Sequence, residues 1–514
     1  MSNYTKETLH ELIKYMSKSE KRYFKVLSSR HTIGEENNYI LLFDFIESQE
    51  EYNEEAIFSH FKGEAFLNKF SITKKRLYDH LISALDNFHS SNSPDAQIYK
   101  LLNSADILYQ KSLYHQSLKQ LKSAEKIAVK NHKYNLLSEI NLKVKRIYES
   151  QGNLDSNEIN KLLLQDEEYH QKSLTYDKFW NLKSKLFSLL SSKGISRSEE
   201  DLIEFKKIIE KLLESSKKSE LYFDSHYLYN HIYSAYYFAT NSFEDCYIYL
   251  TANIELMENT EDVLQDQVNR YLSVLTNAIY VASRLSKKDD LLILQKKLKS
   301  LSLIEKHKNN EDFQIKLFSS IYSIELTTLC IQGKIQEALQ LIPLIESGMM
   351  LYAEKITEIR KAFLQFKIAS VYFLTGEFHT ALKWLNKILN DSTIDNQEDI
   401  VSFSHLLSLL IHFEMKNDDF IPYVLKNTQR YLKSRNRIYE FETNFLKFVT
   451  KMCKISNEIQ REELWNELYT KLISYEDPNL KRVAFEYFDF ITWAESKSQR
   501  KSYQSLVKDK VTLS

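Results

Sequence analysis

The chain is short of glycine and proline. It has seven glycines and four prolines in 514 residues, about 2% together against roughly 12% in an average globular chain. Hairpins, sheets and phosphate-binding loops depend on these residues as punctuation. The shortage excludes a β-sandwich, a barrel or a doubly wound α/β enzyme and leaves an all-α chain. It also excludes Walker, Rossmann and kinase loops, which need several close glycines so that backbone N–H groups can face an anion. The closest pair here, Gly333 and Gly348, is 15 residues apart.

Cysteine is equally sparse. Cys246, Cys330 and Cys453 lie far apart, with no metal-ligand or redox spacing. Such a set argues against a disulfide scaffold and predicts a cytoplasmic protein. Met1 to Ser17 already carries Lys6, Glu7, Glu11 and Lys14 and has no signal-peptide core. The most apolar run, Val401 to Phe413, is interrupted by Ser404, His405, Ser408 and His412. It falls short of the roughly 18–20 residues that a membrane span needs. No excess of one charge exists either: 69 Lys+Arg face 70 Asp+Glu. A whole-chain basic footprint for nucleic acid is therefore missing.

Arrangements for catalysis are also absent from the sequence. No serine sits in a Gly-x-Ser-x-Gly elbow. His10-Glu11 opens like a zincin motif, but position 14 is Lys14. His226 and His231 are five apart and point in different directions on a helix. The paired acids Glu50-Glu51, Glu54-Glu55 and Asp166-Glu167-Glu168 read as solvated helix ends favoured by the macrodipole. The expectation is a protein that is not an enzyme and holds no cofactor or metal.

What the chain does have is aromatic bulk: 33 Tyr, 29 Phe and 4 Trp, 13% of the residues. Large rings suit packing between long helices. Residues 1–90 read as a small helical unit. Thr5 to Met16 is a short amphipathic helix, and Ser17 or Ser19 can cap a second. Tyr39, Leu42, Phe43 and Ile46 have helical spacing. Asn53 can cap a short helix with Ala56, Ile57 and Phe61, and Ser71 a longer one with Leu77, Leu81 and Leu85. Ser90 to Pro94 then breaks the pattern.

From Asp95 onward one pattern recurs. A small or apolar residue is followed at +3 by an aromatic or Leu, and a turn residue comes at +7. An aromatic or Ile stands at +9, a small residue at +12 and an apolar one near +16. The copies begin Ala105, Leu108, Ser112, Tyr114, Ser117; Ser234, Tyr237, Asn241, Phe243, Cys246; Leu326, Leu329, Gly333, Ile335, Ala338; and Ala369, Tyr372, Gly376, Phe378, Ala381. A helical hairpin explains it: small residues let two backbones approach, and the aromatic after the turn fills the wedge. The +12 positions are separated by 129, 92 and 43 residues, near multiples of a unit of about 43–46 residues, in the range of HEAT units. Copies around Ser184–Leu213 and Ala278–Leu298 are too degraded to fix.

This hairpin pattern resembles the tetratricopeptide-like helical-repeat superfamily. The runs Ser17-Lys18-Ser19-Glu20-Lys21-Arg22-Tyr23-Phe24-Lys25 and Phe488-Asp489-Phe490-Ile491-Thr492-Trp493-Ala494-Glu495-Ser496-Lys497 are similar to a set of uncharacterised bacterial helical-repeat proteins. The resemblance implies a tetratricopeptide-like α-solenoid, a superhelical array of antiparallel hairpins, and no established activity. The expected organisation is a helical unit over 1–90, a repeat array over 95–494 and a C-terminal polar helix or tail over 495–514. Phe485, Phe488 and Ile491 would dock the penultimate helix.

A stacked array of hairpins offers a concave face to a protein or peptide. Positions flanking the first small residue would line it: Asp106, Tyr109, His231, Phe238, Thr327, Phe366 and Phe373. They lack the Lys and Asn of the carboxylate clamp found in chaperone-binding members, which leaves a mixed, aromatic groove. Many of these rings have a plainer reading as packing between repeats. The expected function is a non-catalytic adaptor. The alternative is a regulator whose N-terminal unit contacts nucleic acid through Lys69, Lys74, Lys75 and Arg76, beside Lys18, Lys21, Arg22, Lys25 and Arg30. Residues 1–90 nevertheless carry a net charge of −2. If Glu50 to Glu55 neutralise that face, the alternative weakens. Charge reversal of Lys74 and Lys75 is expected to leave folding unchanged.

Overall fold

With so few helix breakers, the chain forms helices joined by short turns. The structure, a computed structural model, describes residues 8–29, 38–90, 93–152, 155–193, 196, 199–215, 221–260, 267–308, 310–353, 355–394, 399–417, 419–435, 438, 440–455, 457–474 and 487–513. Among the described residues there is no strand. The chain divides into two compact units, Met1–Leu174 and Thr175–Ser514.

Unit 1 opens with α1 (Thr8–Tyr15), α2 (Lys18–Ser29), α3 (Asn38–Ser48), α4 (Glu54–His60) and α5 (Phe70–His89). Leu42, Phe43, Ile46, Ile57, Leu77 and Leu81 are fully buried at the centre of this group. Ser17 and Glu20 form a capping box at α2. The serine hydroxyl accepts from the Glu20 N–H at 3.3 Å, and the glutamate accepts from the Ser17 N–H at 2.6 Å. Asn53 caps α4 as expected, accepting from the Ala56 N–H at 2.9 Å. Ser71 does not cap α5. A 3-10 turn over Ala65–Lys69 runs directly into Phe70, which places Ser71 inside the first turn.

Ser93 caps α6 (Pro94–Gln110), and Pro94 takes the first helical position, where its missing N–H costs nothing. Then come α7 (Tyr114–Lys130), α8 (Tyr134–Gln151) and α9 (Ser156–Lys193), the last containing the boundary between units. Ile98, Leu121, Ala124 and Ile140 centre a second hydrophobic cluster in unit 1.

Unit 2 continues with α10 (Glu199–Ser215), α11 (Phe223–Ala239), α12 (Phe243–Glu258), α13 (Val268–Arg284), α14 (Lys288–Ser300), α15 (Glu311–Ile331) and α16 (Ile335–Leu351). It ends with α17 (Glu358–Leu374), α18 (Phe378–Leu389), α19 (Asp399–Glu414), α20 (Ile421–Ser434), α21 (Glu440–Met452), α22 (Glu458–Ile473), α23 (Phe490–Ser498) and α24 (Tyr503–Leu513). Helices pack as successive pairs, α11 with α12, α13 with α14 and so on, and the first helices α13, α15, α17 and α19 touch in order.

The turns are where the sequence pattern meets the backbone. Ser112, Asn241, Gly333 and Gly376, the four expected turn residues, all have positive φ, between 58° and 81°. Each closes a Schellman turn, which satisfies the last helical carbonyls. The Leu113 N–H donates to the Leu108 carbonyl at 2.9 Å, and the Glu377 N–H to the Tyr372 carbonyl at 2.9 Å. The same turn recurs at His132, Ser286, Lys416 and Arg500. In unit 2 the turn residues fall at 241, 286, 333, 376 and 416, intervals of 40 to 47 residues. Small residues do bring the paired helices together. The Ser117 hydroxyl donates to the Ala105 carbonyl at 2.8 Å, and Ala369 and Ala381 are fully buried.

The chain end differs from a polar tail. Phe488 and Ile491 are buried, as expected of docking residues, while Phe485 lies outside the described residues. Trp493 donates its indole N–H to Glu414 at 2.8 Å, and Lys497 pairs with the same carboxylate at 2.7 Å. Leu506 and Val507 bury one face of α24, and the Gln504 amide donates to the Leu374 carbonyl at 3.3 Å. The lysines of this segment hide the apolar stripe from a composition-based reading.

Candidate functional site

The seven groove candidates have different fates. Tyr109, Phe238 and Phe373 stand at the same repeat position, and each contacts the aromatic that follows its turn. The ring centroids are 5.6 Å apart for Tyr109–Tyr114, 6.2 Å for Phe238–Phe243 and 5.4 Å for Phe373–Phe378. They brace hairpin corners. Phe366 is fully buried within α17, and Asp106 is paired with Lys143 at 2.7 Å. Thr327 donates its hydroxyl to the Ser323 carbonyl at 2.8 Å. Its neighbour Thr328 lines an open cavity of about 410 Å³ between α14, α15 and α16, bonded there to Gln295 at 3.1 Å.

His231 is the candidate with the most unusual surroundings. Tyr176, Trp180, Lys183 and Phe187 follow one another along α9 at helical spacing and so share one face. Phe187 stacks on His231 with centroids 5.4 Å apart, and Tyr227, one turn earlier on α11, stacks on it at 5.8 Å. The Lys183 ammonium sits 3.9 Å from the Trp180 ring centroid and 5.7 Å from that of Phe187. From α13, the Arg270 guanidinium lies 5.2 Å from the Tyr227 ring centroid. Cations over ring faces are held by the ring quadrupole. Trp180 and Phe187 are 39% and 41% exposed, so the rim is open.

Charges in this cleft do not balance. Nη1 of Arg270 donates to Asp224 and to Gln267, each at 2.7 Å. Its other nitrogens and the Lys183 ammonium have no carboxylate partner among the described residues. Burial and then the charge of Arg270 lower the Lys183 ammonium below its ordinary value. Burial, then Lys183, then Arg270 push the His231 imidazole down to about 4. A neutral imidazole, two cations and one carboxylate leave the cleft with an excess positive charge. Sequence reasoning reached His231 but missed Lys183 and Arg270, which no repeat position marks.

The basic run of unit 1 has the opposite character. Lys74 bonds to Glu54 at 2.8 Å and to the Tyr52 hydroxyl at 3.1 Å. Lys21 pairs with Glu47 at 3.2 Å, and Lys25 with Asp44 at 2.8 Å. Lys69, Lys75 and Arg76 are exposed, and Arg30 lies outside the described residues. Reversing Lys74 would set two carboxylates together, which distinguishes it from the exposed Lys75.

Among the described residues no group of three His, Cys, Asp or Glu side chains is placed to hold a metal ion, and no helix is long and apolar enough to cross a membrane. Compared with known protein families and with curated proteins, the chain matches none.

Proposed function

We propose that the protein is a non-catalytic adaptor that holds a segment of a partner protein on the face shared by the first helices of unit 2, in a tetratricopeptide-like superhelix. The observation that carries this reading is an internal occupant. Just before α23 the non-helical stretch of residues 487–489 lies on those helices. Tyr487 stacks on Phe403 of α19 at 4.4 Å and on Phe363 of α17 at 6.0 Å, and Phe488 meets Phe373 at 5.1 Å. A face that takes one aromatic stretch of its own chain has the chemistry to take another. The cavity beside Thr328 and the cleft at His231 offer further room away from that stretch.

The regulator reading has less support, because Lys21, Lys25 and Lys74 are held by carboxylates of their own unit. Affinity capture of the tagged protein, with and without nuclease, separates the two. A stoichiometric protein that survives nuclease is the expected result. Capture that disappears with the nucleic acid would overturn the adaptor reading and turn attention to Lys69, Lys75 and Arg76.

A further inference from the structure

The geometry points to the cleft between α9, α11 and α13 as a site for an oxyanion, the carboxylate of an acidic residue in a partner segment whose neighbouring apolar side chain lies against Trp180 and Phe187. This assignment rests on the adaptor reading and names the chemistry of what the adaptor holds.

Three observations carry it. First, the cleft has two cations and one acid, and Asp224 engages only one amine of Arg270. The remaining guanidinium edge is the planar fork that matches a carboxylate. Second, the cations are positioned before any ligand arrives. Lys183 rests on Trp180, and Arg270 rests on Tyr227 with Gln267 as a further tether. Preorganised donors lose little freedom on binding. Third, the walls are rings, Trp180 and Phe187 from α9 and Tyr227 from α11. His231 contributes no charge. It is clamped between Phe187 and Tyr227 and forms the floor. An incoming carboxylate would neutralise the repulsion that Lys183 and Arg270 exert on each other. The groups facing the cleft from each element are Tyr176 and Lys183 from α9, Asp224, Tyr227 and His231 from α11, and Arg270 from α13.

The test uses the full chain at neutral pH, labelled so that the Trp180 indole N–H and the His231 ring C–H are read by NMR. His231→Gln and Trp180→Phe assign the two signals. The probes are N-acetyl-glutamyl-phenylalanine amide, its glutamine counterpart and inorganic phosphate, at constant ionic strength. The glutamyl probe is expected to move both signals saturably, and the glutamine probe to leave them in place. Lys183→Gln is expected to weaken the glutamyl probe by about tenfold, the scale of one charge-assisted hydrogen bond. Lys183→Arg is expected to retain binding, which guards against loss through misfolding. Equal response to both dipeptides would overturn the proposal, as would a response to phosphate alone. If neither signal moves while the protein still captures its partner, the acidic-segment assignment fails and the adaptor reading stands.

Discussion

Two groups of cations in the molecule are organised in opposite ways. In unit 1, Lys21, Lys25 and Lys74 come from conspicuous basic runs, and each has a carboxylate within 3.2 Å. In unit 2, Lys183 and Arg270 come from unremarkable stretches, yet aromatic faces hold them, and Asp224 pairs with Arg270 alone. A run of like charge in a sequence therefore says little about available charge. Availability depends on what the neighbouring helices bring, and those partners lie tens of residues away.

The largest expected effect separates the units by what closes them. Trp493 is 2% exposed and packs on Phe445, Phe448 and Trp465 while donating to Glu414. Trp493→Ala is expected to cost unit 2 about 3–5 kcal/mol, read as a drop in its denaturant midpoint. Limited proteolysis during the titration reports each unit separately. Equal loss in unit 1 would break the contrast.

Acid comes next. His231 and His405, both in unit 2, are pushed from 6.5 down to about 4, His405 by burial alone. Between those values the unfolded chain binds protons that the native imidazoles refuse, so stability rises with pH across that interval. Their contribution is present in full above about pH 6.5 and is lost as pH falls toward 4. Urea melts at pH 7 and pH 5 are expected to show the loss, and His231→Gln to reduce the slope.

A smaller effect distinguishes paired from exposed cations in unit 1. Lys74→Glu faces Glu54 and is expected to lose about 1 kcal/mol, whereas Lys75→Glu stays within about 0.5 kcal/mol of wild type. Thermal melts of the two variants side by side decide it. If they match, the Lys74 pairing has no weight in solution. The smallest effect concerns the turns. Ser112 adopts φ 58° in unit 1, where unit 2 uses Gly376 at φ 81°. Ser112→Gly is expected to relieve strain and stabilise unit 1 by about 0.5–1 kcal/mol. An unchanged melt would mean that the serine tolerates this backbone without cost.

Much of the hairpin architecture was legible because a turn leaves a local record. Spacing alone marks Ser112, Asn241, Gly333 and Gly376, and each has the backbone the pattern requires. Ser286 escaped because its hairpin has Lys288 and Leu291 where other copies have an aromatic or Ile and a small residue. The Schellman turn is made of backbone hydrogen bonds, so it forms without those side chains. The groove positions were harder. A residue four places after the small position is expected to face a partner; Tyr109, Phe238 and Phe373 also reach across the turn to the next helix, and Phe373 touches Phe488 as well. Lys183 was illegible for a different reason. Its significance depends on Arg270 and His231, which come from two later helices.

The central claim, that unit 2 receives a partner beside His231, is tested most directly by hydroxyl-radical footprinting of the captured complex against the free protein. The account predicts slower oxidation of Trp180 and Phe187 in the complex, with Ile72, exposed on α5 among the unit 1 lysines, unchanged. Protection of Ile72 with Trp180 and Phe187 unaltered would contradict it.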